Sequence, residues 1–151
     1  MALAAGDRAP LVALRDQNGE GRRSDQLAGK ALVLFFYPKD DTPGCTAEAC
    51  AFRDSYADLL SLGAEVWGVS GDNQASHQRF ASRHNLPFPL LVDQGNALRK
   101  AFGVPNVLGL LPGRVTYVID REGVIRHVFN NLLDGAAHRN EARAALQRLA
   151  L

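Results

Sequence analysis

Seven consecutive apolar residues, Ala31-Leu-Val-Leu-Phe-Phe-Tyr37, closed by Pro38, constrain the fold of this chain more than any other feature. The run shows no alternation, so a strand made from it must be covered on both faces. It is far too short to cross a bilayer. A sheet covered on both faces needs helices on both sides, and the rest of the sequence supplies them. Residues 45–62 carry Ala49, Phe52, Tyr56, Leu59 and Leu60 at helical spacing and end at Gly63. Residues 64–70 read as the next strand and 74–84 as a second helix. Residues 87–92 give a short strand entered through prolines, and 96–102 a short helix. Residues 115–120 and 124–129 flank Arg121-Glu-Gly123 as a hairpin, and a last helix covers about 136–149. Near the start, the apolar stretch Leu11 to Leu14 runs into the turn-like Asp16-Gln-Asn-Gly19. The alternation predicts an α/β sandwich with a mixed central β-sheet, in one domain spanning residues 1–151.

A hydrophobic fraction of 46% and a charged fraction of 22% fit a globular chain. Seventeen basic against 16 acidic residues leave a net charge of +1, which speaks against nucleic acid or an acidic membrane as partner. A small or neutral substrate is expected instead. The first residues show neither a basic n-region nor a long apolar h-region, so a cytoplasmic address is expected. In a reducing compartment the two cysteines, Cys45 and Cys50, would pair transiently rather than permanently. Neither an obvious exposed apolar stripe nor a long tail speaks for assembly, so a monomer is expected.

The informative segment is Phe36-Tyr-Pro-Lys-Asp-Asp-Thr-Pro-Gly-Cys-Thr-Ala-Glu-Ala-Cys50. Thr42 is a good N-cap, and Pro43 then stands at the first helical position, where its missing N–H costs nothing. Cys45 falls in the first turn, where unpaired N–H groups and the positive end of the helix dipole favour a thiolate. Asp40 and Asp41 oppose this, so the fold should bring in a cation. Lys39, Arg53 and Arg114 are candidates, and local sequence does not choose among them. On a helical wheel Phe52 and Tyr56 lie within about 20° of Cys45, whereas Cys50 lies about 140° away. Five helical residues separate the two Cα atoms by roughly 8–9 Å. A disulfide spans at most about 7 Å. Joining the cysteines therefore requires the first turn of the helix to unwind.

Pro38-x-x-x-Thr42-x-x-Cys45 resembles the active-site signature of the peroxiredoxins. The longer string through Cys50 is similar to the bacterioferritin-comigratory, or peroxiredoxin Q, class, as are Gly68-Val-Ser-Gly-Asp72 and Gly113-Arg-Val-Thr-Tyr-Val-Ile-Asp120. The resemblance implies a thioredoxin-like fold with an N-terminal β extension, and reduction of hydrogen peroxide and alkyl hydroperoxides. It implies Cys45 as the peroxidatic cysteine, Cys50 as the resolving one and Arg114 as the cation beside Cys45. It also implies Pro38 as a shield over the site and Thr42 as a hydroxyl that hydrogen-bonds the substrate. Glu48 fits the class pattern without a secure role. A Cys45–Cys50 disulfide would be recycled by thioredoxin or a similar dithiol. This chemistry requires no metal, flavin, haem or nicotinamide.

Other readings of the same residues are weaker. A thiol–disulfide oxidoreductase would show Cys-x-x-Cys, which this chain lacks. A non-catalytic redox sensor or binding module would oxidise only slowly. The cysteine pair lacks a second Cys or His pair at zinc-finger spacing. His77 and His84 are expected to be solvated, and His127 and His138 show no constellation. Trp67 reads as core. The apolar stretch Val107-Leu-Gly-Leu-Leu111 either lines a substrate mouth or packs on the protein's own surface.

Overall fold

The computed structural model describes residues 2–109 and 111–149, with the backbone alone for Leu111. The turn at Asp16 joins two short strands, β1 (Ala13–Arg15) and β2 (Gly21–Arg23), paired antiparallel. The Asp16 carboxylate makes the turn by accepting from the N–H groups of Asn18 and Glu20. The apolar run becomes β3 (Ala31–Phe36), buried at every residue. Then follow helix α1 (Pro43–Asp54), helix α2 (Tyr56–Ser61), strand β4 (Ala64–Ser70) and helix α3 (Gln74–His84). Strand β5 (Leu90–Val92), helix α4 (Ala97–Phe102) and the two-residue strands β6 (Asn106–Val107) and β7 (Leu111–Pro112) come next. Strands β8 (Val115–Ile119) and β9 (Ile125–Asn130) lead to helix α5 (Gly135–Leu149).

The central sheet has the order β5-β4-β3-β8-β9, parallel from β5 to β3 and antiparallel beyond it. Its middle strand explains the unbroken apolar run. Val33, Phe35 and Tyr37 face one cluster with Phe52 of α1, Phe80 of α3 and Leu146 of α5. Leu32, Leu34 and Phe36 face the other, with Trp67, Phe102 and Tyr117. The rings of Phe35 and Phe52 stack with centroids 4.6 Å apart, which fastens α1 to the sheet. Full burial of each such side chain stabilises the fold by about 1.5–3 kcal/mol. Helices on both faces of a mixed sheet, preceded by a β-hairpin, form the thioredoxin-like arrangement that the resemblance implies.

Three local expectations need correction. The helix starts at Pro43, as the N-cap reading of Thr42 expects, but it does not run unbroken to 62: it is interrupted at Ser55, where the backbone takes φ −107° and ψ 5°. Only residues 90–92 of the stretch 87–92 pair as a strand, because Pro87 and Pro89 have no N–H to donate. In the apolar stretch 107–111, Leu110 and the side chain of Leu111 lie outside the described residues. Leu108 is 91% exposed, so at that residue the stretch does not pack on the protein's own surface.

Candidate active site

Cys45 is the third residue of α1 and is almost fully buried; Cys50, in the same helix, is half-buried, and both thiols are free. Thr42 holds the extended N-cap conformation, but its side chain makes no cap hydrogen bond. Its hydroxyl donates instead to the Lys39 carbonyl at 2.9 Å. The proton of Thr42 is thereby spent, and its oxygen is left as an acceptor. Pro38 follows β3 half-buried.

Arg114 immediately precedes β8, and the pairing of Phe36 with Val115 brings it to the end of β3 where α1 begins. Its guanidinium is used on every edge. Nε donates to the Leu132 carbonyl at 2.9 Å, Nη1 to Glu48 Oε1 at 2.6 Å and Nη2 to Cys45 Sγ at 3.4 Å. Although burial works against its charge, Glu48 and Cys45 hold Arg114 above its ordinary pKa. Of the three candidate cations, this is the one at the thiol. Arg53 binds Asp54 and the His84 carbonyl, and Lys39 is exposed. Gly44 makes room for the contact, since a Cβ there would stand 2.9 Å from Arg114 Nη2.

Glu48 is completely buried. Burial pushes its carboxyl up to about 8 against the downward pull of Arg114, so near neutral pH it largely keeps its proton. Oε2 has no hydrogen-bond partner among the described residues and lies 3.4 Å from His138 Nδ1. His138 Nε2 is 2.7 Å from the Asn131 carbonyl, which can only accept, so that nitrogen carries the ring proton. Nδ1 then accepts from the Thr116 hydroxyl at 2.7 Å. Burial lowers His138 to about 4, and it stays neutral.

Sequence reasoning missed two further features. Arg99 spans the site's rear, donating to the carbonyls of Gly113 at 2.7 Å and Tyr37 at 2.8 Å. It thus ties the residue before Arg114 to the residue before Pro38. Nothing in the segment Leu98-Arg-Lys-Ala-Phe102 distinguishes Arg99 from the neighbouring Lys100. His77, expected in solvent, is fully buried and bonds Asp40 at 2.7 Å. Asp40 in turn directs its carboxylate to Tyr37, Ser76 and His77. Asp40, Asp72 and His77 offer ligand atoms within 4.8 Å of one another, but those atoms are committed to hydrogen bonds in this network.

A buried thiol beside a fixed cation and the open N–H groups of a helix start suits nucleophilic attack on a small neutral molecule whose leaving atom gains negative charge.

The model of the AhpC/TSA family matches residues 5–128. Over 148 residues the chain is 47% identical to a protein named peroxiredoxin Q, chloroplastic, from Oryza sativa subsp. japonica, covering 97% of this chain and 68% of that one. It is 51% identical over 137 residues to the peroxiredoxin Q, chloroplastic, of Arabidopsis thaliana, covering 90% and 63%. The crystal structure of peroxidoxin BcpB from Mycobacterium tuberculosis superposes with a TM-score of 0.89 at 35% identity, covering 97% of this chain and 98% of that one. The bacterioferritin comigratory protein of Xanthomonas campestris gives 0.85 at 31%, covering 96% and 100%. The cytoplasmic address expected from the first residues does not stand: these plant relatives are named chloroplastic, and the lack of a secretory pattern bears on secretion alone.

Proposed function

This chain belongs to the AhpC/TSA family and is a peroxiredoxin, an enzyme that reduces peroxides with a cysteine thiol; from that premise we propose how its own residues divide the work. Cys45 thiolate attacks the terminal oxygen of a hydroperoxide. The O–O bond breaks, the leaving oxygen departs as hydroxide or alkoxide and takes a proton from solvent to give water or an alcohol, and Cys45 becomes a sulfenic acid. Charge developing on the leaving oxygen is stabilised by Arg114 Nη2 and the first-turn N–H groups of α1. Thr42, its own proton engaged with Lys39, accepts a hydrogen bond from the hydroperoxide O–H and so orients it. Pro38 shields the site from water.

The first turn of α1 then unwinds and Cys50 attacks the sulfenic sulfur. Water leaves, and a Cys45–Cys50 disulfide forms within the chain. Thioredoxin or a similar dithiol restores both thiols by exchange. A monomer suffices, since both cysteines belong to one helix. The observation that carries this reading is the 3.4 Å contact between Arg114 Nη2 and the buried Sγ of Cys45. Alkyl peroxide reduction is the activity ascribed to the Xanthomonas campestris protein, which supports organic hydroperoxides alongside hydrogen peroxide as substrates.

The test is turnover of hydrogen peroxide and cumene hydroperoxide with thioredoxin and its reductase, in the wild type and in Arg114→Lys. Lysine keeps the charge but cannot span Leu132, Glu48 and Cys45 together. The expected loss in kcat/KM is about 10²–10³-fold with the fold retained. Turnover by Arg114→Lys within twofold of the wild type would contradict the role of Arg114.

A further inference from the structure

Asp40 and Asp41 lie between Pro38 and the helix that carries Cys45, and both are held by α3. Asp40 is 5% exposed, yet its carboxylate has a partner on every side. Oδ1 accepts from the Tyr37 hydroxyl at 2.6 Å, and Oδ2 from the Ser76 hydroxyl at 2.8 Å. Oδ2 also lies 2.7 Å from His77 Nδ1, while His77 Nε2 lies 2.8 Å from the Leu91 carbonyl. A carbonyl cannot donate, so Nε2 carries a proton, and one further proton bridges Nδ1 and Asp40. The backbone N–H of Asp40 donates to Asp72, whose carboxylate also accepts from Ser70 at the end of β4. The Asp40 side chain thus ties the loop to the end of β3 and to α3, and its backbone N–H ties it through Asp72 to β4.

The next residue is strained. Asp41 has φ +59°, in the left-handed region that residues other than glycine adopt at a cost. Its carboxylate meets Arg83 of α3 at 3.1 Å and faces His84 at 3.6 Å. Such a conformation persists only where its surroundings impose it. The α3 contacts hold Asp41 directly before Thr42, the N-cap of α1.

We propose that Asp40 and His77 are the positioning pair of this enzyme: they hold the loop that presents Cys45 to Arg114, and thereby set the balance between the folded turn that attacks peroxide and the unwound turn that Cys50 can reach. This rests on the roles of Cys45 and Cys50 proposed above. Neither Asp40 nor His77 touches the thiol, so both act through the loop.

Breaking the anchor shifts one equilibrium, and the two steps should move in opposite directions. In Asp40→Ala the oxidation of Cys45 by hydrogen peroxide should slow about tenfold, while disulfide formation from the sulfenic acid should accelerate. A second peroxide competes with Cys50 for the sulfenic acid and converts it to sulfinic acid. The sulfinic fraction at excess peroxide should therefore fall. Asp40→Asn can still accept from Tyr37 and donate to Ser76 and to neutral His77, and should stay within about threefold of the wild type in both steps. Ser76→Ala, which removes one contact, should show the Asp40→Ala pattern more weakly and serves where Asp40→Ala fails to fold.

The experiment is stopped-flow measurement of the two steps with mass determination of the sulfinic fraction. Opposite shifts, restored in Asp40→Asn, support the positioning pair. Unchanged steps, or both steps slowed together in Asp40→Ala and Ser76→Ala, overturn it while leaving the roles of the cysteines intact. Absence of any disulfide in the peroxide-treated wild type would instead reject those roles and this inference with them.

Discussion

The guanidinium of Arg114 stands 2.6 Å from a Glu48 carboxyl that is completely buried, so the cation beside the Cys45 thiol is itself held by an acid of raised pKa. Arg114 pulls that acid down and burial pushes it up; burial prevails. The site therefore contains a guanidinium oriented by a largely neutral carboxyl near pH 7.

This arrangement has a signature in stability. Glu48 rises from an ordinary 4.5 to about 8 on folding, so between those values the folded chain holds a proton that the unfolded chain has released. Stability must fall as pH rises through that window. His138 acts in the opposite sense, because its fall from 6.5 to about 4 makes stability increase with pH in that lower range. The Glu48 effect should thus emerge most clearly between pH 6.5 and 8, with a slope of at most about 1.4 kcal/mol per pH unit. In Glu48→Gln that part of the slope should vanish. Urea unfolding of both proteins across pH 5–9 measures it, and parallel curves would contradict the assignment.

Gly44 offers a test of the Arg114 contact that leaves both partners in place. A methyl group there meets Arg114 Nη2 at 2.9 Å, and the guanidinium cannot yield freely because Leu132 and Glu48 hold its other edges. Gly44→Ala should displace Nη2 from Cys45 and slow peroxide reduction about tenfold or more, with little change in melting temperature. A rate equal to the wild type would show that the 3.4 Å contact is dispensable.

Unwinding of α1 should be local. Ala49 and Phe52 are fully buried, and Phe52 stacks on Phe35, so the end of the helix stays fixed to the sheet. The first turns pack on α5, where an added Cβ on Gly135 would lie 2.7 Å from the Gly44 carbonyl and 2.8 Å from the Glu48 nitrogen. Oxidation should therefore expose amides of residues 46–50 and loosen the start of α5, while residues 52–54 remain protected. Hydrogen exchange of reduced and peroxide-treated protein reads this directly. Equal protection of residues 46–50 in both states would contradict it.

The order of strands and helices was legible because β3 and β4 are long apolar runs that fix the strands around which the helices fall. The break at Ser55 was not, since the apolar positions keep helical spacing on either side of it. Within the site, Cys45 and the start of α1 followed from local chemistry. The choice of Arg114 over Lys39 and Arg53 did not: it depends on a long-range pairing between Phe36 and Val115. The buried roles of His77, His138 and Arg99 were likewise invisible. Each is defined by a carbonyl or carboxylate brought from another element, and periodicity along one element carries no trace of that.

The central claim is that Cys45 attacks peroxide and Cys50 resolves it. Intact mass after one equivalent of hydrogen peroxide, added to the reduced wild type, Cys45→Ser and Cys50→Ser, tests it most directly. The account predicts loss of two hydrogens within seconds in the wild type, no reaction in Cys45→Ser, and one added oxygen in Cys50→Ser. A wild type that stays reduced for many minutes, or a Cys45→Ser variant that oxidises as fast, would contradict it.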